Sequence, residues 1–128
     1  MYYFAKKLKT DFDKIIPILQ EKLKEVGFGV LTEIDMQQKL KEKLNVDIPK
    51  YKIFGVCNPP LAYKSLQVDD KVGLLLPCKV VVQEIEDGSI EVSALDPKAA
   101  MSIVQAGEAL EEVASDATAL LKKVIENL

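Results

Sequence analysis

Histidine and tryptophan are absent from this chain of 128 residues, and cysteine occurs only twice. Without histidine there is no side chain whose ordinary pKa suits acid–base work near neutral pH, and the commonest nitrogen ligand for metals is missing. A structural zinc site wants four ligands, so Cys57 and Cys78 could complete one only if two subunits brought both pairs onto a two-fold axis. Two cysteines are too few for a disulfide scaffold, though enough for a single bridge. Long apolar runs are also lacking: Leu74-Leu75-Leu76 is far too short to cross a bilayer. Met1-Tyr2-Tyr3-Phe4-Ala5 turns charged at once and shows no cleavage site, so no secretory leader is expected. Excess positive charge is missing as well. Lysine and arginine number 17 against 20 aspartates and glutamates, a net charge of -3, which argues against nucleic-acid binding. Lys39, Lys41 and Lys43 alternate with Gln38, Leu40, Glu42 and Leu44 and read as a solvated helix face. The expectation is one cytoplasmic domain over residues 1–128, with reduced thiols and no membrane association.

What is present is ample material for a core, since 48% of residues are hydrophobic. Tyr2 to Leu8 reads as a first strand. Thr10 then reads as a helix N-cap, with Asp11 and Asp13 in the first turn. Phe12, Ile15, Ile16, Leu19, Leu23 and Val26 recur at helical spacing, with Gly27 as the C-cap. Pro17 interrupts this stripe, marking either the first turn of a helix that starts nearer Ile16 or a kink. Phe28 to Ile34 is a second strand. Asp35 to Leu44 is a short helix with Met36, Leu40 and Leu44 at spacing four, ended by Asn45 and Asp47-Ile48-Pro49. Tyr51 to Cys57 is a third strand, with Tyr51, Ile53 and Gly55 on one face and Lys52, Phe54 and Val56 on the other. Pro60 to Leu66 suits a short helix. Leu74 to Ile85 and Ser89 to Leu95 read as hairpin arms around Asp87-Gly88. Pro77 has to sit at an edge, a bend or the first paired residue.

After Asp96-Pro97 a long helix is expected from about Lys98 to Glu126. Its stripe is Ile103, Ala106, Leu110, Val113, Ala117, Leu120 and Val124, interrupted at Gly107. Ile103, Leu110, Val113 and Leu120 are expected to be buried against a concave sheet face. This order of elements describes an α+β fold: a single antiparallel sheet with helices on one face. No βαβ unit carries a glycine-rich phosphate loop.

The polar residues worth singling out lie at breaks between apolar strands. Cys57 ends the third strand and Cys78 opens the next, so antiparallel pairing of those strands can bring the thiols close. Such a pair could be redox active or bind a soft metal through Cys57 and Cys78. The blander alternative is that both are passive, since free cysteine is among the most buried residue types. Asn58 before Pro59 organises a turn or offers a hydrogen bond at the sheet rim. Lys79 would lower the Cys78 pKa only if it shared a face with it, and strand neighbours point to opposite faces. Tyr51 and Tyr63 flank the motif as packing residues, or line a small pocket with Cys57. Gly55 permits close approach of a ligand or of packing groups. Asp96 reads as a helix cap. Glu33 and Asp35 face solvent at a strand end and do not form an acid–base pair.

Three separated segments resemble the DUF302 family of small bacterial and archaeal domains. They are Tyr51-Lys52-Ile53-Phe54-Gly55-Val56-Cys57-Asn58-Pro59-Pro60, Leu76-Pro77-Cys78-Lys79-Val80-Val81-Val82 and Leu95-Asp96-Pro97. Gly55, Cys57, Asn58, Pro59 and Ala62 match the first family motif. Pro77 and Cys78 match the second, where Lys79 replaces a common asparagine and weakens any role that needs an amide there. The resemblance implies a β-α-β(4)-α arrangement, with a curved antiparallel sheet wrapping a long C-terminal helix, and a homodimer. It implies no reaction, because the family's biochemical function is not established.

The functional expectation is a dimeric module that binds or senses a small ligand near Tyr51, Gly55, Cys57, Asn58, Cys78 and Lys79. Two alternatives stand beside it. One is a thiol-dependent redox protein or enzyme. The other is a structural or partner-binding protein with passive cysteines. Cofactor and catalytic residues are left unassigned.

Overall fold

The computed structural model describes residues 1–104 and 107–128. Among them five strands form one antiparallel sheet: β1 (Tyr3–Leu8), β2 (Gly29–Asp35), β3 (Tyr51–Cys57), β4 (Cys78–Glu84) and β5 (Ile90–Leu95). Their spatial order is β1-β5-β4-β3-β2. The β4–β5 hairpin therefore forms the middle of the sheet, and the two earliest strands become its edges. Helix α1 (Phe12–Glu25) carries the chain from one edge to the other. The remaining helices are α2 (Met36–Leu44), α3 (Pro59–Val68), α4 (Pro97–Met101) and α5 (Glu108–Glu126). The sheet is curved and packs against helices, and α5 is the long C-terminal one. The α+β architecture expected from the sequence is therefore the observed one.

Strand alternation sorts the side chains. Val80 and Val82 of β4, Val92 and Ala94 of β5, and Phe54 and Val56 of β3 are fully buried on one face. They meet Phe12, Ile15, Leu19 and Leu23 of α1 and Ala117, Leu121, Val124 and Ile125 of α5 in one core. A second, smaller core of Val72, Met101, Leu110 and Ala114 lies beside it. Each leucine buried this fully favours folding by about 1.5–3 kcal/mol. Lys6 Nζ donates to the carbonyl of Glu126 at 3.0 Å, tying β1 to the C-terminal end of α5.

Helix α1 begins earlier than Pro17 allows for a first-turn proline, and runs through it. The proline supplies no donor to the preceding turn, yet the buried stripe on both sides holds the helix together. Its N-cap is Asp11 rather than Thr10, and it forms no side-chain capping bond. The C-terminal end is as expected. Gly27, at φ +84°, donates to Lys24 O, and Phe28 donates to Leu23 O, which closes a Schellman turn.

Three expectations need correction. Leu74 and Leu75 belong to a 3-10 helix (Asp70–Leu75), capped by Asp69 Oδ1 accepting from Lys71 N at 2.9 Å, so the first hairpin arm starts only at Cys78. The helix expected from Lys98 to Glu126 is broken. Helix α4 ends at Met101, and α5 starts after Gly107, whose φ of +87° is outside the helical range. Ile103 consequently stands 73% exposed instead of buried; Ala106 lies outside the described residues. Within α5 the buried residues are Leu110, Ala114, Ala117, Leu121, Val124 and Ile125. Val113 and Leu120 flank that stripe half-buried, so the register is rotated slightly from the expected one. No helix among the described residues is long and apolar enough to cross a membrane.

Candidate functional site

The loop from β3 into α3 is built on Asn58. Its side-chain Oδ1 accepts from Leu61 N at 3.3 Å and caps α3, while Pro59 and Pro60 occupy the first turn, where no donor is needed. Its Nδ2 donates to Val26 O at 3.3 Å, at the turn that ends α1. One amide thus joins the end of one helix to the start of another, and Gly27 leaves room for it: a Cβ there would lie 3.2 Å from Asn58 Nδ2. Asn58 therefore works as an organiser of the turn, one of the two roles read from the sequence.

Behind this turn lies a cavity of about 30 Å³, room for one or two water-sized groups. Cys57 and Asn58 line it from β3 and the turn, and Cys78 from the start of β4. Leu61, Ala62 and Ser65 enter from α3, Pro97 and Met101 from α4, and Val113, Ala114 and Ala117 from α5. Ser65 is buried, and its hydroxyl is satisfied by donating to Leu61 O at 2.9 Å. The lining is thus almost wholly apolar or sulfur-bearing. The cavity sits at the seam between the two cores, since Cys78 belongs to the larger and Met101 to the smaller.

Both cysteines are free thiols; Cys78 is buried and Cys57 half-buried. Residue Val56 is the cross-strand partner of Cys78, so Cys57 comes one position beyond that pair, where the chain leaves the sheet. Burial first, and the Cys57 charge second, push the Cys78 thiol up to about 11. Lys79 pulls weakly the other way, because its side chain turns outward and donates to Pro77 O at 2.9 Å. Burial also raises the Cys57 thiol. At neutral pH a thiol titrating near 11 is ionised in only about one molecule in 10⁴. That is the electrostatics of a packed thiol rather than of an activated nucleophile.

The six candidate residues divide between the two faces of the sheet. Cys57, Asn58 and Cys78 share the cavity. Tyr51 and Lys79 line a groove of about 420 Å³ on the opposite, helix-free face, with Tyr3, Val81, Gln83, Glu91 and Leu95. Gly55 is packed from that face. A Cβ on it would press on Thr32 Oγ1 and approach Pro77 Cγ to 2.7 Å, so its close approach serves strand packing. Tyr63 is 66% exposed and lines neither space. Glu33 pairs with Lys52 at 3.1 Å, and Asp35 caps α2. Asp96 caps α4 as expected, and it also accepts from Thr118 Oγ1 at 2.7 Å, fixing α4 against α5. Among the described residues, no three His, Cys, Asp or Glu side chains cluster as a metal-binding group. The sequence points to Ala62 only as part of the family motif, and to Ser65 and Met101 not at all; all three join the cysteines through the packing of α3 and α4.

The fold and this cavity define a small α+β domain in which a cavity lined by both cysteines lies between the curved antiparallel sheet and helices α3, α4 and α5. Residues 4–128 match the family model described as "Domain of unknown function DUF302", and the chain belongs to that family. The crystal structure of an uncharacterized conserved DUF302 protein from Bacillus stearothermophilus superimposes with a TM-score of 0.90 at 32% identity, covering 98% of this chain and 97% of that one. An uncharacterized protein of Aquifex aeolicus (strain VF5) is 29% identical over 96 residues. That match takes in 75% of this chain and 60% of the Aquifex protein's length.

Proposed function

We propose that this domain binds or senses a small ligand in the cavity beside Cys57 and Cys78, and that it works as a homodimer in a reducing, cytoplasmic setting. The observation that carries the reading is that both cysteines line one small cavity bounded by five separate elements, β3, β4, α3, α4 and α5. A passive core position would close over such space, because interiors pack to near-crystalline density. The thiol-dependent redox alternative is weaker, since burial holds both sulfurs protonated and no histidine stands ready to deprotonate them. The dimer is supported by the helix-free sheet face, which carries Tyr3, Tyr51, Val81 and Leu95 together with the opposite charges Lys79 and Glu91.

The test is a small-molecule panel read by thermal shift, with native mass spectrometry of the protein as purified. It is run on the wild type and on Ala62→Leu, which fills the cavity and leaves both thiols in place. A ligand that stabilises the wild type and not the variant supports the reading. A wild type that nothing stabilises, or a variant that binds equally well, contradicts it.

A further inference from the structure

Three sulfur-bearing residues from three elements line the same cavity: Cys57 at the end of β3, Cys78 at the start of β4, and Met101 at the end of α4. Cys78 and Met101 are each only 8% exposed, and Cys57 is half-buried. The side-chain oxygens nearby are two and both make hydrogen bonds: Asn58 Oδ1 accepts from Leu61 N, and Ser65 Oγ donates to Leu61 O. Among the described residues no carboxylate lines the cavity. Hard cations such as magnesium and calcium, which favour several oxygen ligands with carboxylates among them, are therefore poorly served. A structural zinc ion wants four strong ligands and here finds two thiols and a thioether.

We propose that the cavity is a copper(I) site, with Cys57 and Cys78 as thiolate ligands and Met101 as the thioether. Soft sulfur donors select this monovalent ion, and it accepts a low coordination number. Binding forms three Cu–S bonds, breaks two S–H bonds and releases two protons to solvent, with no change of oxidation state. The long, unbranched Met101 side chain can shift to complete the set. The cavity's volume of about 30 Å³ suits one ion and excludes a cluster. This assignment rests on the cavity being a ligand site and names the class of its ligand.

The experiment titrates the reduced protein, without oxygen, against copper(I) held by the chromogenic chelator bathocuproine disulfonate. The wild type is expected to withdraw one equivalent. Cys57→Ser is expected to withdraw none, and Met101→Leu, which conserves volume, to bind at least tenfold more weakly while keeping its circular dichroism. A wild type that withdraws no copper overturns the proposal, and Met101→Leu with wild-type affinity removes the three-sulfur site. If Met101→Leu fails to fold, Cys57→Ser carries the comparison, because its side chain is half-buried and outside the densest packing. The small-molecule panel on the same preparation separates the two failures. A protein that takes a ligand from the panel but no copper retains the cavity reading and loses the metal.

Discussion

At the scale of single residues, Asn58 shows how one side chain can be read correctly in type and incompletely in reach. An asparagine before Pro59-Pro60 announces a helix cap. Its second bond, to Val26 O, is set by the Schellman turn of another helix 32 positions away and leaves no local trace. Asn58→Ala is expected to lower stability by about 1–2 kcal/mol in urea unfolding, and Asn58→Asp by less, since the cap acceptor survives. Equal losses would show that the bond to Val26 dominates. Gly55 was legible as a point of close approach, though what approaches is Thr32 and Pro77. Gly55→Ala is expected to cost about 1–3 kcal/mol through overpacking, because the proline ring cannot turn aside. Cys78 gives a pH prediction. Its folded pKa of about 11 stands above the ordinary thiol value of 9.0, so the folded state holds the proton more tightly. That contribution is fully present below pH 9 and is lost as pH rises through 11. It amounts to about 2–3 kcal/mol. Urea unfolding of wild type and Cys78→Ala across this range measures it: the lysines titrate in both proteins, so the difference between the two curves isolates the thiol. Parallel curves would mean that the thiol is not buried as described.

At the scale of elements, periodicity located α1, β3, β5 and the Asp87-Gly88 turn because each pattern is reinforced by a cap, a glycine or strict alternation. It failed where two readings fit the same residues. Leu74-Leu75-Leu76 satisfies a buried strand as well as a 3-10 turn, and the Asp69 cap that decides between them lies five residues upstream. In α5 the adjacent pairs Val113-Ala114 and Leu120-Leu121 each offer two candidates for one stripe. Tertiary packing chose Ala114 and Leu121, the smaller residue lying where Val72, Met101 and Leu110 already fill the second core. Ile103 continues the stripe in sequence, but α4 ends at Met101 and leaves it in solvent. Leu110→Ala and Leu121→Ala are each expected to lose about 2–5 kcal/mol, and Ile103→Ala less than about 0.5 kcal/mol. Urea unfolding of the three variants checks the register, and a large loss at Ile103 would contradict it.

For the whole molecule, the chain assembles one sheet with a helix-covered face and an open one. Alternation along β3 and β4 made that division foreseeable, yet the candidate residues were gathered as a single group. Adjacent positions such as Cys78 and Lys79 necessarily part to opposite faces, so proximity in sequence misled. Met101 was invisible as a partner because the folding of α4 against α5, through Asp96 and Thr118, is what delivers it. On the open face, Val81→Glu would place a charge among Tyr51, Leu95 and Glu91 of the groove. Sedimentation is expected to show a dimer for the wild type and a monomer for this variant, with unchanged secondary structure; a wild-type monomer at micromolar concentration would end the dimer assignment. The central claim is that the space beneath α3 admits a ligand beside the thiols. Methyl NMR under xenon pressure tests it most directly, because xenon enters apolar cavities without needing a specific bond. The account predicts saturable shifts at the methyls of Ala62, Met101 and Ala117 that vanish in Ala62→Leu. Shifts absent from these three methyls, or unchanged by the filling substitution, would contradict it.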